Sequence, residues 1–163
     1  MRARSADLPV KIWKASAACP TAMPLPSSVW QPLLRASALS ALGETVELSG
    51  LSVLISEVVA PKHADQSDIA RRALMAASIR MPDREACAGQ LATAVERAKD
   101  VKTKITLLEI VAAVAGKKAL ATIGTAAKSD DAELQDAGSR LLGSWTTEDA
   151  APVLLDVAKS PKG

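Results

Sequence analysis

Tyrosine and phenylalanine are absent from the 163-residue chain, and its three aromatic residues are Trp13, Trp30 and Trp145. So few rings leave no stacking platform of the kind that holds single-stranded nucleic acid. The single histidine, His63, lies in the linker 61–66. One imidazole cannot build the multi-histidine sites of zinc enzymes, and no Cys or carboxylate cluster at ligand spacing surrounds it. The two cysteines, Cys19 and Cys87, are far apart and form no CxxC pair, a usage that fits a reducing compartment. Cys87 stands among Ala86, Ala88 and Leu91 and reads as a buried helix residue. No run approaches 18 uninterrupted apolar residues, which excludes a membrane-spanning helix of that kind. With 20 Lys+Arg against 18 Asp+Glu, the net charge of +2 sets up no strong field toward nucleic acid.

Motifs of chemistry are also missing. There is no GxGxxG, no P-loop and no G-x-S-x-G. Gly116-Lys117-Lys118 lacks the glycine loop and preceding strand of a phosphate cradle, and reads as a turn between helices. The acid pairs Asp130-Asp131 and Glu148-Asp149 fall at helix starts, where capping and the helix dipole account for them. The expectation is a non-enzyme with no metal, no cofactor and no catalytic residue. Lys99, Lys102 and Lys104 form a small basic knot, as do Arg71 and Arg72. Glu96, Asp100 and Glu109 interrupt the first, so a DNA-binding role is the weakest reading.

What the chain does have is alanine: 32 residues in a sequence that is 48% hydrophobic. Alanine is the strongest helix former and a small packing residue. Residues 1–30 show no sustained period and carry Pro9, Pro20, Pro24 and Pro26, which predicts an irregular N-terminal arm. Arg2 and Arg4 followed by Ser16-Ala17-Ala18-Cys19 outline a lipoprotein signal. Lys11, Trp13 and Lys14 occupy its apolar stretch, so the segment reads as an unstructured leader on a cytoplasmic protein. From residue 31 the apolar spacing becomes helical. It predicts helices over 31–43, 48–60, 68–81, 83–98, 103–115, 117–128, 132–144 and 147–159. Gly43, Pro61, Pro82 and Gly116 act as stops, Asp83 as a start and Thr146 or Thr147 as the last cap. The second segment is rich in β-branched residues and is also compatible with a strand. In the first helix the apolar face falls on Leu34, Ala38, Leu39 and Leu42. In the third it falls on Ile69, Ala73, Ala76, Ala77 and Met81.

The eight helices form four pairs whose first members begin near 31, 68, 103 and 132. A unit recurring every 30–37 residues marks a helical repeat array. Self-similarity adds to this: Ala127-Lys128-Ser129 recurs as Ala158-Lys159-Ser160, and Ala98-Lys99-Asp100 falls on Ala127-Lys128-Ser129. Leu34-Arg35-Ala36-Ser37-Ala38-Leu39-Ser40-Ala41-Leu42-Gly43 and Leu134-Gln135-Asp136-Ala137-Gly138-Ser139-Arg140-Leu141-Leu142-Gly143 resemble the first helix of a bacterial HEAT-like repeat. Residues 147–156 resemble the matching second helix. Residues 83–159 are similar to helical-repeat segments of large bacterial multidomain proteins, some of which join such repeats to sugar-hydrolase or lectin-type domains. Uneven spacing, and Gly89, Gly124 and Gly138 inside helices, depart from the common pattern.

The resemblance implies an all-α, armadillo-like solenoid over 31–160, with second helices lining an extended surface that binds a protein or peptide. Arg84, Glu85, Lys117, Lys118, Glu148 and Asp149, near the second-helix starts, are the candidate contacts. Trp145 either plugs the joint between two hairpins or anchors a partner. The alternative is a structural spacer, or a fragment of a larger carbohydrate-related enzyme. An uncapped last hairpin would expose Leu154, Leu155 and Val157 and promote self-association.

Overall fold

The computed structural model describes residues 27–159, which form eight α-helices and two short 3-10 turns. No strand occurs among the described residues. The helices are α1 (Ser27–Thr45), α2 (Leu51–Val59), α3 (Ser67–Arg80), α4 (Arg84–Arg97), α5 (Val101–Val114), α6 (Lys117–Ala127), α7 (Ala132–Gly143) and α8 (Ala150–Ala158). Residues 1–26, with Trp13 and Cys19, and residues 160–163 lie outside the described residues.

Local chemistry sets most of the boundaries. Asp83 caps α4 by accepting from the Ala86 amide at 2.9 Å. Asp100 caps α5 through the amide and hydroxyl of Thr103, so that helix starts two residues earlier than the spacing predicts. Asp131 caps α7 through the amides of Glu133 and Leu134. Each acidic side chain satisfies donors that the first helical turn leaves free. Segment 51–59 is helical despite Val53, Ile55, Val58 and Val59. Burial of Leu51 and Leu54 on one side outweighs the small helix penalty of β-branching.

The odd helices pack in sequence, α1 on α3, α3 on α5 and α5 on α7, and the even helices do the same, α2 on α4, α4 on α6 and α6 on α8. Contacts such as α2 on α3, α4 on α5 and α6 on α7 join the two series. Helix α5 is enclosed by α3, α4, α6 and α7. Its Leu107, Leu108, Ile110, Val111 and Val114 are all buried, each large side chain contributing roughly 1.5–3 kcal/mol. Side-chain bonds tie distant segments together over separations of 28 to 42 residues. Gln66 Nε2 donates to the Pro32 carbonyl and Arg80 Nη2 to the Val46 carbonyl, each 34 residues away. Lys128 pairs with Asp156, 28 residues on.

Several details differ from the periodic reading. Helix α1 starts at Ser27 and continues through Gly43 to Thr45, so Gly43 is not a stop. A Cβ there would lie 2.8 Å from Ala73 Cα, and the glycine instead lets α1 and α3 touch. The inward face of α1 is Ala36, Leu39 and Gly43, while Leu34 and Leu42 are exposed. In α3 the buried stripe is Ala70, Ala73, Leu74, Ala77 and Ser78, continued by Met81; Ile69 is half-buried and Ala76 exposed. Thr147 does not cap α8 with its side chain. Its hydroxyl accepts from Trp145 Nε1 at 2.8 Å, and α8 starts at Ala150 with no side-chain cap. Pro152 lies in the first turn of α8, where its missing N–H costs little.

Candidate functional site

The predicted contact residues fall at the starts of three successive even helices. At α4, Arg84 is exposed, but Glu85 is turned inward. Its carboxylate accepts from the Lys117 amide at 2.7 Å and the Lys118 amide at 3.2 Å. Glu85 therefore caps α6 from its place on α4. Gly116 permits the contact, because a Cβ there would sit 2.7 Å from Glu85 Oε1. Its φ of 103°, following Ala115 at φ 61°, turns the chain sharply between α5 and α6. The Lys117 and Lys118 side chains are exposed, and Lys118 Nζ reaches over Gly89 of α4.

At the third start, Glu148 and Asp149 are exposed. Trp145 is half-buried and packs against the core. Together with Asp149, Ala112, Gly116 and Leu120 it lines a pocket of about 250 Å³. The structure thus joins Glu85 to Lys117 and Lys118, and gathers Trp145 and Asp149 beside Gly116. Arg84 and Glu148 remain on the surface.

The larger concavities lie elsewhere on the even helices. A groove of about 810 Å³ runs across α4, α6 and α8, lined by Val95, Glu96, Thr122, Thr125, Lys128, Val153 and Asp156, with Lys104 and Asp130 at its edge. A second, of about 510 Å³, lies between α2 and α4, lined by Ser52, Ile55, Ser56 and Val59 on one side and Gln90, Thr93, Ala94 and Arg97 on the other, with Ser49. The sequence reading picked out none of these groove positions as contacts. Their signal is the i, i+3, i+4, i+7 spacing that Ser52, Ile55, Ser56 and Val59 share with Gln90, Thr93, Ala94 and Arg97. That spacing places each set on one helix face. Many of the hydroxyls are occupied by their own helix: Thr93 donates to Gly89, Thr122 to Lys118 and Thr125 to Ala121 carbonyls.

Among the described residues no three His, Cys, Asp or Glu side chains come together as a metal site. No helix among them is long and apolar enough to cross a membrane. His63 is exposed in the loop between α2 and α3. Cys87 is fully buried, and burial pushes its thiol above the ordinary range. The chain matches no family model, no curated protein and no solved structure.

Proposed function

We propose that the chain is a HEAT-like α-solenoid of four helix pairs that works as a non-catalytic scaffold, binding protein or peptide segments along its even helices. The observation that carries this reading is the pair of open grooves on α2, α4, α6 and α8, whose walls mix aliphatic, hydroxyl and charged side chains. The successive packing of odd on odd and even on even helices supports the repeat assignment. So do the bonds that tie one helix pair to the next, which span 28–42 residues. Arg84, Lys117, Lys118, Glu148 and Asp149 then supply polar contacts at the helix starts, while Glu85 and Trp145 hold the units together. A photo-crosslinking residue at Thr93 or Thr125 tests the reading in cells expressing the full chain. Discrete protein adducts at these two positions, and none at Glu133 on α7, are expected. Adducts confined to Glu133, or absent everywhere, would overturn it.

A spacer role is the second reading. It is favoured by large apolar side chains exposed on the first and last helices: Trp30, Leu33 and Leu34 on α1, and Leu154 and Leu155, the latter 60% exposed, on α8. Surfaces of that kind mark contact with other protein. Light scattering of the purified chain separates the two. A monomer near 17 kDa favours a self-sufficient module, and a dimer or polydisperse assembly favours a part that needs a neighbour.

A further inference from the structure

Among the described residues Ala115 is the one non-glycine with a positive φ. It stands at φ 61°, ψ −174°, and Gly116 follows at φ 103°, ψ 170°. Both angle pairs lie in a region that glycine alone enters freely. The chain is anchored on either side of the peptide that joins these two residues. Ahead of it, the Ala115 N–H donates to the Ala112 carbonyl at 3.3 Å. Behind it, the Gly116 carbonyl accepts from the Leu120 amide at 3.0 Å, and Glu85 accepts from the Lys117 and Lys118 amides. The Ala115 carbonyl and the Gly116 N–H themselves have no hydrogen-bond partner among the described residues. This peptide plane is therefore the link of the turn that no bond holds. Both residues line the pocket of about 250 Å³ that they share with Trp145, so open space lies beside them.

We infer that the Ala115–Gly116 peptide is a two-position switch, turning over as a unit while the helices on either side stay in place. Rotating the plane by about 180° takes Ala115 to ψ of about 0°, at the edge of the left-handed α region. The same rotation takes Gly116 to φ of about −80°, in ordinary extended space. The two changes compensate, because the peptide is a rigid plane between its Cα atoms, so the chain beyond keeps its course. The rotation frees Ala115 from a conformation nearly closed to L side chains and leaves it the smaller cost of a single left-handed α residue. The carbonyl and the N–H change sides, and with them the polar group that this wall offers to the pocket. A ligand that donates to the carbonyl selects one position, and a ligand that accepts from the N–H selects the other. The switch lies on the turns between helices and is independent of the even-helix scaffold reading.

Amide spectra and relaxation dispersion of the isotope-labelled full chain, with the variants Ala115→Gly and Ala115→Asn, test it. Glycine accepts the observed position without strain and should deplete the second one. Asparagine, several-fold enriched in the left-handed α region, should populate it. In the unsubstituted chain the Gly116 and Lys117 amides should show exchange, as dispersion or as a second set of peaks. The Trp145 indole N–H, donated to Thr147 on the same pocket, should respond with them. The population of the second position should differ several-fold between the two variants, and the Lys117 and Trp145 peaks should move in opposite directions from the wild type. Single sharp peaks that stay in place in both variants would overturn the switch. So would equal populations in Ala115→Gly and Ala115→Asn. Exchange that extends along α6 to Leu120 and Ile123 would also overturn it, since it marks unwinding of the helix start and not the turnover of one peptide.

Discussion

Glu85 and Lys117 are 32 residues apart, yet the Glu85 carboxylate accepts the Lys117 backbone amide at 2.7 Å and caps the following even helix. A carboxylate at a helix N-terminus satisfies free amides and complements the helix dipole together. Glu85→Ala should therefore lower unfolding stability by about 1–2 kcal/mol, while Glu85→Gln, which keeps an acceptor without charge, should lose less. Urea denaturation followed at 222 nm measures both. An unchanged midpoint for Glu85→Ala would show that water replaces the cap without loss.

The turn that brings those amides to Glu85 passes through Ala115 at φ 61°, ψ −174°, a region that suits glycine. Holding a side chain there costs on the order of 1–3 kcal/mol. Ala115→Gly relieves it and gives back roughly 0.4–1 kcal/mol through the freer unfolded chain. The net expectation is a modest rise in Tm. Ala115→Val should lower it.

Two mid-helix glycines should respond in opposite directions. A Cβ at Gly138 would meet the Ala127 backbone nitrogen at 2.5 Å, where α7 crosses α6 and no flexible atom can yield. Gly138→Ala should cost about 1–3 kcal/mol. At Gly89 the nearest atom is Lys118 Nζ at 3.4 Å, the mobile end of a long side chain. Gly89→Ala should stabilise by roughly 0.5–1 kcal/mol through helix propensity. Thermal melts of the two variants side by side decide the matter.

Cys87 is fully buried, with its Sγ 4.0 Å from the Ser78 carbonyl, and burial raises its pKa. The folded chain therefore holds the proton at a pH where the unfolded chain has lost it. The stability this contributes is fully present below the ordinary thiol value of about 8.5. It is lost as pH rises from there through the higher folded value. In a Cys19→Ser background, unfolding stability should fall as pH rises above the ordinary thiol value, and more than in the Cys87→Ala counterpart. Iodoacetamide should label the native thiol far more slowly than a free cysteine at pH 8. Rapid native labelling would show that the site opens readily.

The helix starts and stops were legible because their causes lie within a few residues. Asp83 and Asp131 cap their own first turns, and Pro61, Pro82 and Gly116 interrupt the pattern locally, whereas the Asp100 cap was missed and α5 starts two residues before the spacing put it. Periodicity serves where a helix has one broad inward face, as in α6, which buries Leu120, Ile123 and Ala127. It misassigned α1, whose apolar residues lie on more than one side, leaving Trp30 and Leu34 outside and Ala36, Leu39 and Gly43 inside.

Composition and spacing thus determined that the described residues are helical and roughly where each helix lies. Both follow from propensity, capping and period, which are properties of neighbouring residues. Tertiary structure decided what depends on residues far apart in the chain. Glu85 belongs to the start of α6, Gly43 and Gly138 are contact points between helices, and Gln90 and Arg97 share a groove with Ser52 and Ile55. Local sequence constrains a helix's direction and hydrophobic face. Which helix that face meets, and how closely, depends on side-chain shape across the interface.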